Sequence, residues 1–236
     1  MLEVQNVFAG YCKDINILQG ISITAKLGNI TIVIGANGVG KSTLLKTVYG
    51  FLYPHKGRIY YKKENITGMN PFLMVAKGIS YIPQQHSIFP FLTVEENLML
   101  GGWTFRKNKN LIQHRMSENY ERFKILGEKR KADAWSLSGG QQRMLEIARG
   151  LMTDPEMILF DEPSAGLEPR LTGEIYKRLE KLKFEEGRGI ILVDQNVRQA
   201  MEVADYVYVI EMGKNKIEGT RRDFNADLKE MIKGWF

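Results

Sequence analysis

The segment Gly35-Ala36-Asn37-Gly38-Val39-Gly40-Lys41-Ser42 constrains this chain more than any other part of it. It fits the pattern Gly-x-x-x-x-Gly-Lys-Ser/Thr and stands between an apolar, β-branched run over 30–34 and a stretch of helical period over 41–49. Glycines let successive backbone N–H groups turn inward around an anion, and a helix N-terminus adds the positive end of its dipole. In such a loop Lys41 reaches the β- and γ-phosphates of a nucleotide, and the Ser42 hydroxyl ligates Mg²⁺. The pattern arises by chance in about one chain in a hundred of this length. Its place between strand and helix makes a plain glycine-rich turn rarer still, so residues 35–42, with Thr43 opening the helix, are expected to bind ATP.

A strand that feeds this loop needs neighbours of the same kind, and the sequence supplies them. Short apolar runs at 157–160 and 190–193 are each followed by a helix-period stretch, at 171–185 and 197–204. Strand and helix in alternation predict a parallel sheet with helices on both faces. The first thirty residues differ: 2–8 and 21–25 alternate, with Gly20 and Gly28 as punctuation, which predicts antiparallel sheet. Between about 86 and 153 the β pattern stops, and Val94, Leu98, Leu111, Ile112, Met116, Tyr120, Phe123 and Leu126 recur at helical spacing. The reading is therefore one α/β domain over 1–236 of the P-loop NTPase class, with an N-terminal antiparallel β subdomain and an inserted helical subdomain. After 206 a strand over 206–210, a turn at Gly213-Lys214-Asn215 and a short helix near 228–232 are expected.

Two further segments carry chemistry. The run Met157-Ile158-Leu159-Phe160 ends in Asp161-Glu162. Beside a phosphate loop, the first carboxylate suits Mg²⁺ and the second can polarise an attacking water, because phosphoryl transfer needs a positioned proton acceptor. Alone, an apolar strand ending in an acidic pair is common, and the loop gives it meaning. The second segment is Leu137-Ser138-Gly139-Gly140-Gln141, ahead of a helix over 142–151. It makes Ser138 an N-cap and leaves two glycine N–H groups able to face an anion. With Gln142-Arg143 after it, and with Ser138 23 residues before Asp161, it is the signature of ATP-binding cassette proteins.

Over nearly its full length the chain resembles the ATP-binding cassette (ABC) ATPases, and most closely the branched-chain amino acid uptake ATPases of the LivF type. The resemblance rests on Leu2-Glu3-Val4 with Gly10-Tyr11, the phosphate loop, Tyr81-Ile82-Pro83-Gln84, and Phe89-Pro90 with Leu92-Thr93-Val94-Glu95-Glu96-Asn97-Leu98. It rests further on the signature, the Asp161-Glu162 strand and Val193-Asp194-Gln195-Asn196. The resemblance implies a RecA-like sheet core and ATP hydrolysis. It implies that Tyr11 stacks on adenine, a contact of about 1–3 kcal/mol by analogy with base stacking, against the alternative of a strand-edge tyrosine. Gln84 would touch Mg²⁺ and the attacking water and relay nucleotide state to the transport partner. Ser138, Gly139, Gly140 and Gln141 would cap the γ-phosphate held by a second cassette, in a head-to-tail dimer of two copies or of this chain with a related one. Transmembrane permease subunits would be direct partners and a substrate-binding protein an indirect one, which places the chain on the cytoplasmic face of a membrane.

Two positions depart from that pattern. Where most cassettes have a histidine, 33 residues after the catalytic glutamate, this chain has Gln195. A glutamine donates an N–H but takes up no proton, so Glu162 is expected to be the only side-chain base. Glu168 stands where aspartate is usual in the segment after Ser164-Ala165-Gly166-Leu167.

Composition excludes other classes. Cys12 is the lone cysteine, and His55, His86 and His114 show no ligand spacing, so a metal held by protein side chains alone is not expected. The apolar runs fall far short of the roughly 20 residues needed to span a bilayer, and no export signal opens the sequence, so a cytoplasmic setting is expected. Net charge is +6, and nine basic against three acidic residues between 104 and 131 account for all of it. That run is the sole argument for a soluble cassette acting on nucleic acid or ribosomes. Its other readings are a surface for anionic lipid, at about 1 kcal/mol per basic residue near the membrane, or a solvated face. A small-molecule kinase would have no use for the signature or Gln84. Nucleic acid is not an expected partner, and the transported solute, whether leucine, urea, a short amide or another, stays open.

Overall fold

The computed structural model describes residues 1–12, 14–85 and 87–224. Two sheets organise it. An antiparallel sheet has the order β2 (Leu18–Ala25), β1 (Leu2–Ala9), β4 (Lys56–Tyr61), β5 (Glu64–Asn65). A six-stranded sheet runs β10 (Lys214–Thr220), β9 (Tyr206–Glu211), β3 (Ile30–Ile34), β8 (Gly189–Val193), β7 (Met157–Asp161), β6 (Ile79–Ile82). All its pairings are parallel except β10 on β9.

Strands β3, β7 and β8 are buried along their whole length, which is why they read as continuous apolar runs: a parallel strand covered on both faces has no solvent side. Side-chain alternation then divides them between two cores. Ile30, Ile32, Ile34, Ile158, Phe160, Ile190 and Leu192 face one way, with Leu145 and Ile147 of α6 (Gly139–Leu151) and Ile175 and Leu179 of α7 (Pro169–Phe184). Val33, Leu159, Ile191 and Val193 face the other, toward α1 (Lys41–Val48) and the inner face of the antiparallel sheet. The phosphate-loop strand β3 is central in the sheet, so its C-terminal end opens between the two cores.

Strands β4, β5 and β6 and the short helix α2 (Pro71–Ala76) are absent from the sequence reading. β6 has only four residues, two of them Ser80 and Tyr81, too few to establish a period. The signature helix begins at Gly139 rather than at 142. The Ser138 hydroxyl accepts from the Gln141 N–H at 3.4 Å and the Gln141 side chain accepts from the Ser138 N–H at 3.3 Å, a reciprocal cap that holds both glycines in the first turn. The helix expected near 228–232 lies outside the described residues.

Between β6 and β7 lie α3 (Val94–Gly101), α4 (Lys109–Arg122), α5 (Lys124–Glu128) and α6. Buried Asn97 ties the entry to this segment, donating to the carbonyls of Phe89, Leu92 and Thr93 at 2.9, 3.2 and 3.0 Å and accepting from the Phe89 N–H at 2.8 Å. Two of the nine basic residues of the run, Arg115 and Arg122, are structural. Arg115 pairs with Glu118 and Asp154 at 2.8 and 2.6 Å, Arg188 with Asp154 and Glu186 at 2.6 Å each, and Arg122 grips Glu186 through two bonds at 2.9 and 3.0 Å. Arg122 returns to Glu118 at 3.9 Å and closes the ring of charges. This ring fastens α4 to the loops that lead into β7 and β8.

Arg188 is its most buried member and also donates to the Pro155 carbonyl. Burial alone would push the Asp154 and Glu186 carboxyls up, but the arginine bonds outweigh it and hold both below their ordinary range. A carboxyl held low in the folded state stabilises the fold above its unfolded pKa and loses that contribution as pH falls through the folded value. Arg188→Ala should therefore cost about 1–3 kcal/mol of unfolding free energy near neutrality. That difference should begin to shrink as pH falls through the ordinary carboxyl range near about 4, where the unfolded chain takes up protons first, and vanish once the folded carboxyls also protonate at lower pH; urea titrations of both proteins across pH check it.

Candidate active site

The loop after β3 is shaped by glycines in left-handed backbone conformations that other residues rarely adopt. Gly40 has a left-handed φ of 108°, and a Cβ there would lie 2.9 Å from Leu18 Cδ2. Gly38 has a left-handed φ of 81°, and a Cβ there would meet open space. Ala36 and Val39 are half-buried, Asn37 and Gly38 are exposed, and Thr43 is buried in the first turn of α1. Lys41 is 5% exposed, and its ammonium donates to the carbonyls of Gly35 and Ala36 at 2.8 and 2.9 Å. Burial lowers its pKa, while Glu162, Asp161 and Asp194 pull it back up.

β7 delivers its two carboxylates to this loop. Ser42 Oγ donates to Asp161 Oδ1 at 2.7 Å, and the Tyr81 hydroxyl donates to Oδ2 at 2.9 Å. Oxygen donors of this kind suit a hard cation such as Mg²⁺. Glu162 is 5% exposed and sits at a φ of 48°, unusual for a non-glycine residue, with its N–H donating to the Val193 carbonyl at 2.7 Å. Its Oε2 accepts from two amides at once, Gln84 Nε2 at 2.5 Å and Gln195 Nε2 at 2.6 Å. Burial pushes the Glu162 carboxyl up; the Gln195 bond and the charge of Lys41 oppose this without cancelling it. A raised carboxyl is a better proton acceptor near neutrality than an ordinary glutamate.

The structure thus brings Lys41, Ser42, Asp161, Glu162, Gln84 and Gln195 together. Tyr11 lies past the end of β1, 57% exposed, and its hydroxyl accepts from Lys46 Nζ of α1 at 3.3 Å, so it stands beside the helix that follows the loop. The signature lies apart from this cluster. Ser138, Gly139 and Gly140 line a concavity of about 460 Å³ with Gly166, Leu167, Glu168, Arg170, Leu171 and Glu174, and no phosphate-loop residue is among the described residues lining it. Gln141 faces inward on its cap and accepts from Lys129 Nζ at 3.1 Å.

Three supporting residues escaped sequence reasoning. Tyr81 was visible only as part of a resemblance. Asp194 accepts from the Ser164 hydroxyl at 2.7 Å and the Asn196 N–H at 2.9 Å, joining the loop after β7 to the segment that carries Gln195. Arg143 is buried in α6, paired with Glu146 at 2.7 Å, and donates to the carbonyls of Pro83 and Pro163 at 2.8 and 3.1 Å. A buried arginine behind a signature is a hint in the sequence, but its partners lie too far along the chain to be read there.

A phosphate loop after the C-terminal end of a parallel strand, with a buried acid pair at the end of β7 one strand further along the sheet, defines an ATP-hydrolysing P-loop protein. The pattern of the ABC transporter family matches residues 18–165, and the chain belongs to that family. It is 41% identical over 214 residues to the high-affinity branched-chain amino acid transport ATP-binding protein BraG of Pseudomonas aeruginosa, covering 91% of this chain and 90% of that one. It is 35% identical over 223 residues to the probable branched-chain amino acid transport ATP-binding protein LivF of Archaeoglobus fulgidus, covering 94% and 93%. It is also 35% identical, over 99% of its length and 95% of the relative's, to the lipopolysaccharide export system ATP-binding protein LptB of Haemophilus influenzae. Among solved structures, the ADP conformation of the ABC transporter cassette MJ1267 superposes with a TM-score of 0.88 at 30% identity, covering 99% of this chain and 98% of that one. The dimeric, post-hydrolysis cassette MJ0796 bound to ADP and Pi gives 0.81 at 25% identity, covering 94% and 99%.

The Gln195 bond opposes the upward push of burial on Glu162. If the carboxylate form works as the base, turnover falls as pH drops through a midpoint above the roughly 4.3 of a free glutamate. Gln195→Ala should move that acid limb further upward, and a pH–rate profile of ATP turnover for both proteins reads it.

Proposed function

We propose that this chain is the ATP-hydrolysing subunit of a membrane uptake system for branched-chain or other hydrophobic amino acids, and that Glu162 is its catalytic base. The observation that carries the catalytic part is the double amide clamp on Glu162 Oε2 beside the buried Lys41 ammonium. In this reading residues 35–43 cradle the phosphates, Tyr11 stacks on adenine, and Ser42, Asp161 and Gln84 hold Mg²⁺. Bound magnesium would neutralise phosphate charge and orient the terminal group for in-line attack. Gln84 and Gln195 orient the water by their amides, Glu162 accepts its proton, and Gln195 contributes hydrogen bonding alone.

Ser138, Gly139, Gly140 and Gln141 act on the nucleotide of a second cassette. Their separation from the phosphate loop supports this, as does the dimeric relative with its ADP and Pi. The whole chain, 1–236, acts as one cassette with the segment from about 86 to 153 as an inserted helical unit. A groove lined by Pro83, Ser87, Phe89, Leu100 and Trp103 lies just beyond Gln84 and is where a permease subunit would sense the nucleotide. No helix among the described residues is long and apolar enough to cross a membrane, so such subunits would hold the chain at the cytoplasmic face. ATP drives closure only by binding the closed dimer better than the open one. The amino acid substrate is supported by the names of the relatives from Pseudomonas aeruginosa and Archaeoglobus fulgidus; the export relative has similar identity, so direction and solute are set by the other subunits.

Glu162→Gln should lower ATP turnover by about 100-fold or more while nucleotide titration shows binding intact, whereas Lys41→Ala should lose binding itself. Labelled-leucine uptake in cells carrying only Glu162→Gln should be abolished. Undiminished turnover in Glu162→Gln would remove it as base, and undiminished leucine uptake would remove the amino acid assignment.

A further inference from the structure

Asp161 is 2% exposed, and its two oxygens are divided between two hydroxyls, Ser42 on Oδ1 at 2.7 Å and Tyr81 on Oδ2 at 2.9 Å. The second contact is built by the sheet. Tyr81 pairs with Leu159 across β6 and β7, and Leu159 and Asp161 project from the same face of β7 two residues apart. The Tyr81 ring is fixed in turn by Tyr49 and Phe51, with centroids at 5.6 and 5.5 Å. An aspartate's terminal torsion is broad and roughly two-fold, so a buried carboxylate with one bonded oxygen can swing. A hydroxyl on the second oxygen stops it.

We propose that Tyr81 is a positioning residue for metal binding: by holding Oδ2 it turns Oδ1 of Asp161 toward Ser42 and the cation, and so sets metal affinity without touching nucleotide affinity. This rests on the reading of Ser42 and Asp161 as the metal-holding pair. Partners that orient metal-holding groups typically contribute 10- to 100-fold in affinity. Tyr81 also lies three residues before Gln84, so the residue that orients the carboxylate and the one proposed to reach the water stand at the same strand end.

The test is Mn²⁺ binding, followed by electron paramagnetic resonance in saturating ADP, for the wild type, Tyr81→Phe and Asp161→Asn. Tyr81→Phe keeps the aromatic packing and loses only the hydroxyl. The expected result is an Mn²⁺ affinity about 10- to 100-fold weaker, with ADP affinity in EDTA unchanged and ATP turnover rescued by raised Mg²⁺. Mn²⁺ affinity within twofold of wild type in Tyr81→Phe, with Asp161→Asn strongly weakened, overturns the role of Tyr81 alone. Unchanged affinity in Asp161→Asn overturns the metal-pair reading beneath it. Tyr81→Leu, which likewise carries no hydrogen-bond donor, provides the same comparison if the phenylalanine variant folds poorly.

Discussion

The site depends on one electrostatic constraint: an ammonium and three carboxylates buried side by side where the parallel strands end. Lys41, Asp161, Glu162 and Asp194 are each 5% exposed or less. Isolated charges are costly to bury, so each must be paired or hydrogen-bonded. Lys41 is held by loop carbonyls, Asp161 by two hydroxyls, Glu162 by two amides, and Asp194 by Ser164 and Asn196. The functional residues are therefore each other's solvation. Three carboxylates against one lysine leave an excess of negative charge, which a divalent cation would offset.

A second buried charge extends this order outward. Arg143 and Glu146, whose side chains are 4% and 1% exposed, join the signature helix to the segment of Gln84 and to the loop after β7. Glu146 also accepts from the Ser87 N–H at 2.5 Å. Removing either partner would take a charge-assisted bond away from the other inside the core, a change of about 3–5 kcal/mol. The signature, which we propose to act on a second cassette, is thus tied within its own chain to the residues that surround Glu162.

How much of this was legible in the sequence follows from where each interaction is written. The strands β3, β7 and β8 are fully buried and read as apolar runs. The phosphate loop, Asp161-Glu162 and the Ser138 cap are local patterns whose geometry follows from a few adjacent residues. Strand β6 is too short and polar to show a period, yet it carries Tyr81 and leads to Gln84. Arg143 and the charge ring of Arg115, Arg122 and Arg188 depend on partners tens of residues away, and no local rule pairs them. The ring also takes Arg115 and Arg122 out of the basic run, since both fasten α4.

We propose that hydrolysis takes place in a site shared by two cassettes. It is tested most directly by cryo-electron microscopy of the assembled transporter carrying Glu162→Gln with ATP and Mg²⁺. Two ATP molecules are expected, each with its phosphates on Lys41 and the loop amides of one cassette and its γ-phosphate capped by the signature of the other. An ATP whose phosphates are enclosed by a single chain, with the Ser138–Gly140 concavity open to solvent, would contradict it.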